Sequence, residues 1–401
     1  MKKLVLVFLV GLTTLFMLVG CATPAETPTT PSTPSTPSTP STPSTPSTPS
    51  TPSTPTTPVE PTSDNPWEGL GLKPDGTQYY FALVTDAFQN PWIEFSGKLF
   101  ESYMKRADCK YSMHDPNFDA MKQVADMEDL IVKKPNGIIL HACDGLVIKG
   151  TVDQAVAAGI PVVTYDVEVP TDSIATYVYN DNHEMGRAIA RWAVDYFNAQ
   201  NLDGYIFECQ GMQSMTIATY RHEGFAEVID GTRVHMNPGP DCGWSDEPCA
   251  NNVISTFPAH PEYNCVFTIG GMMAGAIEGL RAVDQLYPIG HPDHILAITL
   301  DENDQTCALM RDGYVDACGA HSPYILTDLA IKAIFHTAIL GNDIPKDIQL
   351  PVFVIEQEEV AADAANPDGP SIWGLVMLNE TPYDDLPVLD LSEYLETPTL
   401  N

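Results

Sequence analysis

Residues 79–92 read YYFALVTDAFQNPW. Tyr79 to Val84 is a short apolar run, as a strand buried on both faces of a parallel sheet requires. A polar turn from Thr85 to Asn90 follows, and Pro91 has the fixed φ that suits the first turn of a helix. Trp92, Phe95, Leu99, Phe100 and Tyr103 then recur at helical spacing and form one apolar stripe. This strand–turn–helix unit repeats. Strands are predicted at Cys109–His114, Gly137–His141 and Pro161–Asp166, with helices near Asp119–Val132 and Leu146–Ala158. A second series begins near Asn180, with helices at Glu184–Ala199, Met215–Ile229, Asn251–Phe257, Met273–Leu286 and Thr327–Leu340. Its strands are predicted at Tyr205–Glu208, near Arg233, and at Cys265–Ile269, Ile295–Leu300 and Tyr314–Gly319. Two such series predict an α/β protein of two doubly wound parallel-sheet lobes. Beyond Glu356 the periodicity weakens, and no element is assigned there.

Upstream of this region the chain has a different character. Lys2 and Lys3 precede an apolar run, Leu4 to Val19, which ends in Leu18-Val19-Gly20-Cys21. Basic, apolar, small is the order of an export signal, and the run is short for a bilayer span. The last four residues resemble the bacterial lipobox, so residues 1–20 are expected to be a lipoprotein signal peptide and Cys21 the lipidated residue. Thr27 to Pro61 is a Ser-Thr-Pro repeat that cannot bury a core, and residues 21–75 are read as an extended tether. At ~3.1 Å per residue its repeat could hold a domain on the order of 100 Å from an anchor. The chain carries 19 Lys+Arg against 53 Asp+Glu, a formal charge of −34, of which the first 66 residues contribute only −1. So acidic a globular part argues against nucleic-acid binding, which depends on basic residues meeting phosphates.

Ligands of open α/β sheets sit beyond the carboxyl ends of the strands. There the sequence places Asp86, Asn90 and Trp92 after the first strand, His141 to Asp144 after the third, and Asp166 after the fourth. Later strands end at Gln210-Gly211, Asp301 and His321. Carboxylates, amides and an aromatic face in one cleft suit a polyhydroxyl ligand, whose hydroxyls donate and accept while its C–H face packs on Trp.

From Tyr79 to about Val354 the sequence resembles the sugar-type (type I, ribose-binding-like) periplasmic binding proteins of ABC importers. The similar segments are Phe81-Ala-Leu-Val with Asn90-Pro91-Trp92, Gly159-Ile-Pro-Val-Val-Thr-Tyr-Asp166, Tyr179-Asn-Asp-Asn182 with Gly186, and Gln210-Gly211 with Arg221-His-Glu-Gly-Phe225. The resemblance implies a three-strand hinge crossed near Tyr177, His321 and Val354. Residues 76–177 with 322–353 would form the N-terminal lobe, 178–321 with 354–390 the C-terminal lobe, and 391–401 a tail. It further implies that Asp86 and Asn90 bond sugar hydroxyls, that Trp92 stacks on the ring, and that Asp144, Asp166, Asp301 and His321 line the cleft. Arg221 would be a cross-cleft donor whose loss weakens binding with little effect on folding. Where the family has an Asn-Asp pair after Val266-Phe267, this chain reads Thr268-Ile269-Gly270-Gly271-Met272, which predicts a roomier or less polar pocket.

His291-Pro-Asp-His294 reads as a surface turn and not a metal site. Gly270-Gly271 lacks the Lys-Ser/Thr of a phosphate loop, and no nucleophile elbow is present. Nothing in the sequence argues for catalysis or calls for a cofactor. Of the eight cysteines other than Cys21, Cys242 and Cys249 bracket a loop and form the best candidate disulfide, with Cys307/Cys318 second. Cys143 and Cys209 read as small buried apolar residues. The resulting expectation is a monomeric, lipid-anchored extracytoplasmic solute-binding protein that delivers a sugar-like ligand to ABC permease subunits. A lipoprotein presenting a small-molecule signal to a membrane receptor is the alternative. A DNA-binding repressor would need a basic N-terminal helix-turn-helix in place of the export signal.

Overall fold

The computed structural model describes residues 65–364 and 391–399. The signal segment, Cys21, the Ser-Thr-Pro repeat and residues 365–390 lie outside them. The first strands and helices alternate as β1 (Tyr80–Val84), α1 (Pro91–Arg106), β2 (Lys110–His114), α2 (Ala120–Lys133), β3 (Gly137–Leu140), α3 (Gly145–Ala157), β4 (Val162–Tyr165) and β5 (Thr176–Asn180). The second series runs α4 (Asn182–Gln200), β6 (Gly204–Gln210), α5 (Thr216–Ile229), β7 (Val234–Asp241), α6 (Asp246–Thr256), β8 (Cys265–Thr268), α7 (Met273–Ala282), β9 (Leu296–Leu300), α8 (Asp304–Arg311) and β10 (Ala317–Gly319). The chain closes with α9 (Pro323–Phe335), β11 (Asp347–Leu350), β12 (Val354–Glu356) and α10 (Gln357–Ala364).

Two six-stranded sheets result, ordered β11-β5-β4-β3-β1-β2 and β12-β10-β9-β8-β6-β7. All pairings are parallel except that of the edge strand β12, which runs antiparallel to β10. Alternation along β1 shows why the run at 81–84 is wholly apolar. Phe81 and Leu83 enter the core shared with α1 and α9, whereas Ala82 and Val84 enter the core shared with α2 and α3. Helix α1 begins where Asn90 caps it and Pro91 fixes its first turn, and its stripe of Trp92, Leu99, Phe100 and Tyr103 is buried. Helix α9 is buried almost all round and correspondingly apolar, apart from Thr327 and the mutually paired Asp328 and Lys332.

The chain passes between the sheets three times: after Asn180, between Gly319 and Pro323, and between Leu350 and Val354. The first crossing, expected near Tyr177, comes three residues later because Thr176–Asn180 pairs with both β4 and β11. Both ends of the globular part also depart from the sequence reading. Trp67, placed in the tether, is fully buried, with ring centroids 5.3 Å from Tyr103 and 5.4 Å from Phe335. Leu391 and Leu395, placed in a tail, are buried in that same core, and the Glu396 carbonyl accepts from His336 Nε2. Helix α6 starts at Asp246, five residues earlier than predicted, because Asp246, Glu247 and Pro248 make a favourable first turn. His294 is more than surface: its Nε2 meets Asp316 at 3.0 Å. All eight described cysteines are unbonded thiols, which departs from the Cys242–Cys249 and Cys307–Cys318 disulfides considered from the sequence.

Candidate ligand-binding site

The carboxyl ends of the two sheets converge on one chain of alternating acids and bases. Asp86 follows β1, His141 follows β3 and Asp166 follows β4. Asp301 follows β9, His321 follows β10, and Arg221 projects from α5. Each of the six is more than nine-tenths buried. His141 Nδ1 lies 3.6 Å from Asp86 Oδ1, too far for a hydrogen bond, while its Nε2 meets Asp166 Oδ2 at 2.9 Å. The other oxygen of Asp166 is 2.9 Å from His321 Nε2, close but poorly aligned. His321 Nδ1 meets Asp301 Oδ1 at 2.9 Å, and Asp301 Oδ2 accepts from Arg221 Nη1 at 2.8 Å. Arg221 also donates from Nε to Asn182 Oδ1 and from Nη1 to the Ile269 carbonyl. The network therefore runs without a break in charge from one sheet to the other.

Burial opposes charge on every member, and the partners decide the outcome. For His321 the carboxylates of Asp166 and Asp301 outweigh burial, and its pKa rises to about 9. His141 is likewise raised, with Asp86 and Asp166 overcoming burial. Asp166 is held well below the usual carboxylate range by His321 and His141, and Asp301 is lowered by Arg221 and His321, both against burial. For Asp86 burial outweighs the distant His141 and the Ala87 amide that donates to its Oδ1 at 2.6 Å, and its pKa is raised. Burial also pushes Glu302 up to about 7, although its carboxylate accepts from the His321 amide. Asp166 and Asp301 occupy the left-handed region, with φ of 61° and 64°. Such backbone costs about 1–3 kcal/mol per residue and is retained where surroundings impose it.

Trp92 joins the network through its ring. Its Nε1 donates to the His321 carbonyl at 2.8 Å, and the indole stacks on the His321 imidazole with centroids 4.9 Å apart and planes 11° apart. The face expected to hold a ligand ring is therefore covered by His321 in this arrangement. Two residues expected to contact ligand also cap helices. Asn90 Oδ1 accepts from the Trp92 amide as the cap of α1, and Asp144 Oδ1 accepts from the amides of Leu146 and Val147 as the cap of α3. Helix N-termini leave amides without partners, and these two side chains answer that need and contribute no hydrogen bond to the network. Arg221 also differs from the sequence reading. It is 1 % exposed and holds a buried carboxylate, so its loss is expected to affect folding.

The Gly270-Gly271 segment does not leave a void. A Cβ at Gly270 would lie 2.6 Å from the Trp244 ring, and one at Gly211 would lie 2.3 Å from it. The two glycines make room for an indole that the sequence reading overlooked, held also by a 3.1 Å contact from its Nε1 to Met215 Sδ. Trp244, Ser245, Asp246 and Gly271 from the second lobe face Gln89 and Pro91 from the first across a cleft of about 120 Å³. Glu302 is absent from the sequence reading, which places His141 at the end of the third strand and Asn182 in a family-like segment without giving either a role. His141 ends the apolar run of β3, and that position was the available signal.

The profile of a family described as "Periplasmic binding protein domain" matches residues 81–341. The chain belongs to this periplasmic binding protein family. Among curated relatives, the ribose import binding protein RbsB of Bacillus subtilis (strain 168) is 24% identical over 279 residues, covering 69% of this chain and 86% of the relative. The fold is shared with a galactofuranose binding protein (TM-score 0.65, 18% identity, 71% of this chain and 96% of that one). It is shared too with the periplasmic binding protein component of the arabinose ABC transporter from Shewanella sp. ANA-3, bound to arabinofuranose (TM-score 0.64, 22% identity, 71% and 94%). As a periplasmic binding protein the chain is a binding component and not an enzyme. The acid–base network lies where the carboxyl ends of the strands meet, the place where open α/β sheets hold ligands.

Proposed function

We propose that this protein captures a neutral sugar-like ligand between its two lobes, outside the cytoplasm and tethered through a lipidated Cys21, and delivers it to an ABC permease. The observation that carries the ligand class is the alternating network from Asp86 to Arg221. Its charges are of both signs and mutually compensated, so a net charge on a ligand would gain nothing. A hydroxyl both donates and accepts, and so can take the place of either an acid or a base along the chain. The names of the similar proteins, which include ribose and arabinose binders, point the same way. All six members of the network are buried where the carboxyl ends of the two sheets meet, so admission of a ligand requires the lobes to part. The three crossings would then act as the hinge, with bound ligand favouring the closed form by its differential affinity.

The test is native mass spectrometry of the exported chain, followed by denaturation and identification of any released small molecule, with calorimetric titration of a pentose, hexose and polyol panel. A released or titratable sugar supports the reading. A co-purified peptide, nucleoside or lipid, or no heat with any member of the panel, overturns it.

A further inference from the structure

Beneath the loop that carries Trp244, three cysteines from three elements meet. Cys209 lies in β6, Cys242 follows β7, and Cys249 lies in α6. Their sulfurs are all within 4.8 Å of one another, and all three residues are buried. Three atoms so spaced lie within about 2.8 Å of a common point, close to the ~2.3 Å of a Zn–S bond. Small inward rotations would complete the contact. Asn252 Nδ2 donates to Cys242 Sγ at 3.3 Å, an outer contact that favours a thiolate there. Among the described residues no His, Asp, Glu or further Cys joins the group. A disulfide between any two would leave the third sulfur against it, free to exchange, whereas a single ion satisfies all three.

We propose that Cys209, Cys242 and Cys249 form a three-thiolate site for one thiophilic d10 cation, Cu+ or Zn2+. Soft thiolate ligands select these ions. Thiols that are protonated beforehand lose their protons to solvent on binding, so affinity rises with pH. The ion would fasten both ends of the segment 242–249 to β6 and thereby fix Trp244, Ser245 and Asp246 at the mouth of the cleft. This assignment does not depend on the identity of the ligand in the cleft.

The experiment is anaerobic titration of the reduced, exported chain with Zn2+ against a chromophoric chelator and, separately, with Cu+ against a Cu+ chelator. One equivalent should bind with a rise in Tm, and X-ray absorption at the metal edge should count three sulfur neighbours. Cys249→Ser and Cys209→Ser should each lower affinity at least about 100-fold, and Cys307→Ser should not. Because those variants alter buried positions, Asn252→Ala is the second test. It keeps all three sulfurs and should weaken binding about 10–100-fold, the usual effect of removing an outer-sphere partner. The relative strength of the two titrations identifies the ion. Absence of binding to the fully reduced chain, equal binding by Cys249→Ser, or a disulfide between any two of the three in chain recovered from its own cells overturns the proposal.

Discussion

Arg221 and His321, expected from the sequence to face a ligand, hold buried carboxylates where the lobes meet. Arg221→Ala leaves Asp301 buried with half its partners gone. Loss of one member of a buried pair costs about 3–5 kcal/mol, to be read from the urea midpoint alongside the loss of ligand affinity. Unchanged stability would mean that the Arg221–Asp301 contact is not formed in solution. The pH dependence follows from the same contacts. The pKa of His321 is raised in the fold to about 9 from an ordinary 6.5, so its contribution is full below 6.5 and is lost as pH rises toward 9. Asp166 is depressed, so its contribution is full above 3.8 and is lost as pH falls. Glu302, raised to about 7 from 4.5, is a cost that grows as pH climbs through that interval. Tm should therefore be highest near pH 5 and decline through pH 9. His321→Gln, which cannot titrate, should flatten the alkaline limb. An alkaline limb of equal slope in the variant would assign that loss to other groups.

Among the elements, the pair α4 and α5 decides where Arg221 stands. The helices touch through glycine: a Cβ at Gly224 would lie 2.1 Å from the His183 carbonyl oxygen, and one at Gly186 would lie 2.1 Å from that of Arg221. Backbone cannot yield as a flexible side chain would. Gly224→Ala should cost about 1–3 kcal/mol by overpacking and should also weaken ligand binding, because α5 must move away and carry Arg221 with it. A variant with lowered Tm but wild-type affinity would separate this packing from the site. Helix α8 shows the opposite weighting of local signal. Its eight residues begin at an Asn303 cap, but so short an amphipathic pattern gives little periodicity to read.

In the whole molecule, the first lobe is completed by sequence from both margins of the globular part. Trp67 enters beside Tyr103 and Phe335, and Leu391 and Leu395 close the same core. Removing residues 391–401 should lower stability by about 3 kcal/mol, as expected for exposing two leucines and the surface beneath them. Thermal melts of full-length and shortened chain measure this, and equal Tm values would show that the segment does not dock. Deeper in that lobe Lys332 and Asp328 form an ion pair of 2.7 Å with neither side chain exposed, and Tyr103 donates to the same carboxylate. Lys332→Ala should cost about 3–5 kcal/mol, whereas a paired replacement of both by apolar residues should cost far less. Chemical denaturation of the single and double variants distinguishes the two.

By itself the sequence determined the alternation of strands and helices, because a buried parallel strand must be continuously apolar and its covering helix must carry a stripe. It also placed Asp86, Asp166, Asp301 and His321 at strand ends, since polar residues that follow such runs have nowhere else to lie. Only tertiary structure decided which of the polar residues meet. Asn90 and Asp144 satisfy helix amides two and three residues away, a local demand, while His141 acquires Asp86 and Asp166 from separate strands. The room left by Gly211 and Gly270 is likewise unreadable in one dimension, because the indole that fills it arrives from residue 244. Local sequence sets each element by short-range sterics and burial. The site is a property of contacts between residues up to 229 positions apart, as for Trp92 and His321.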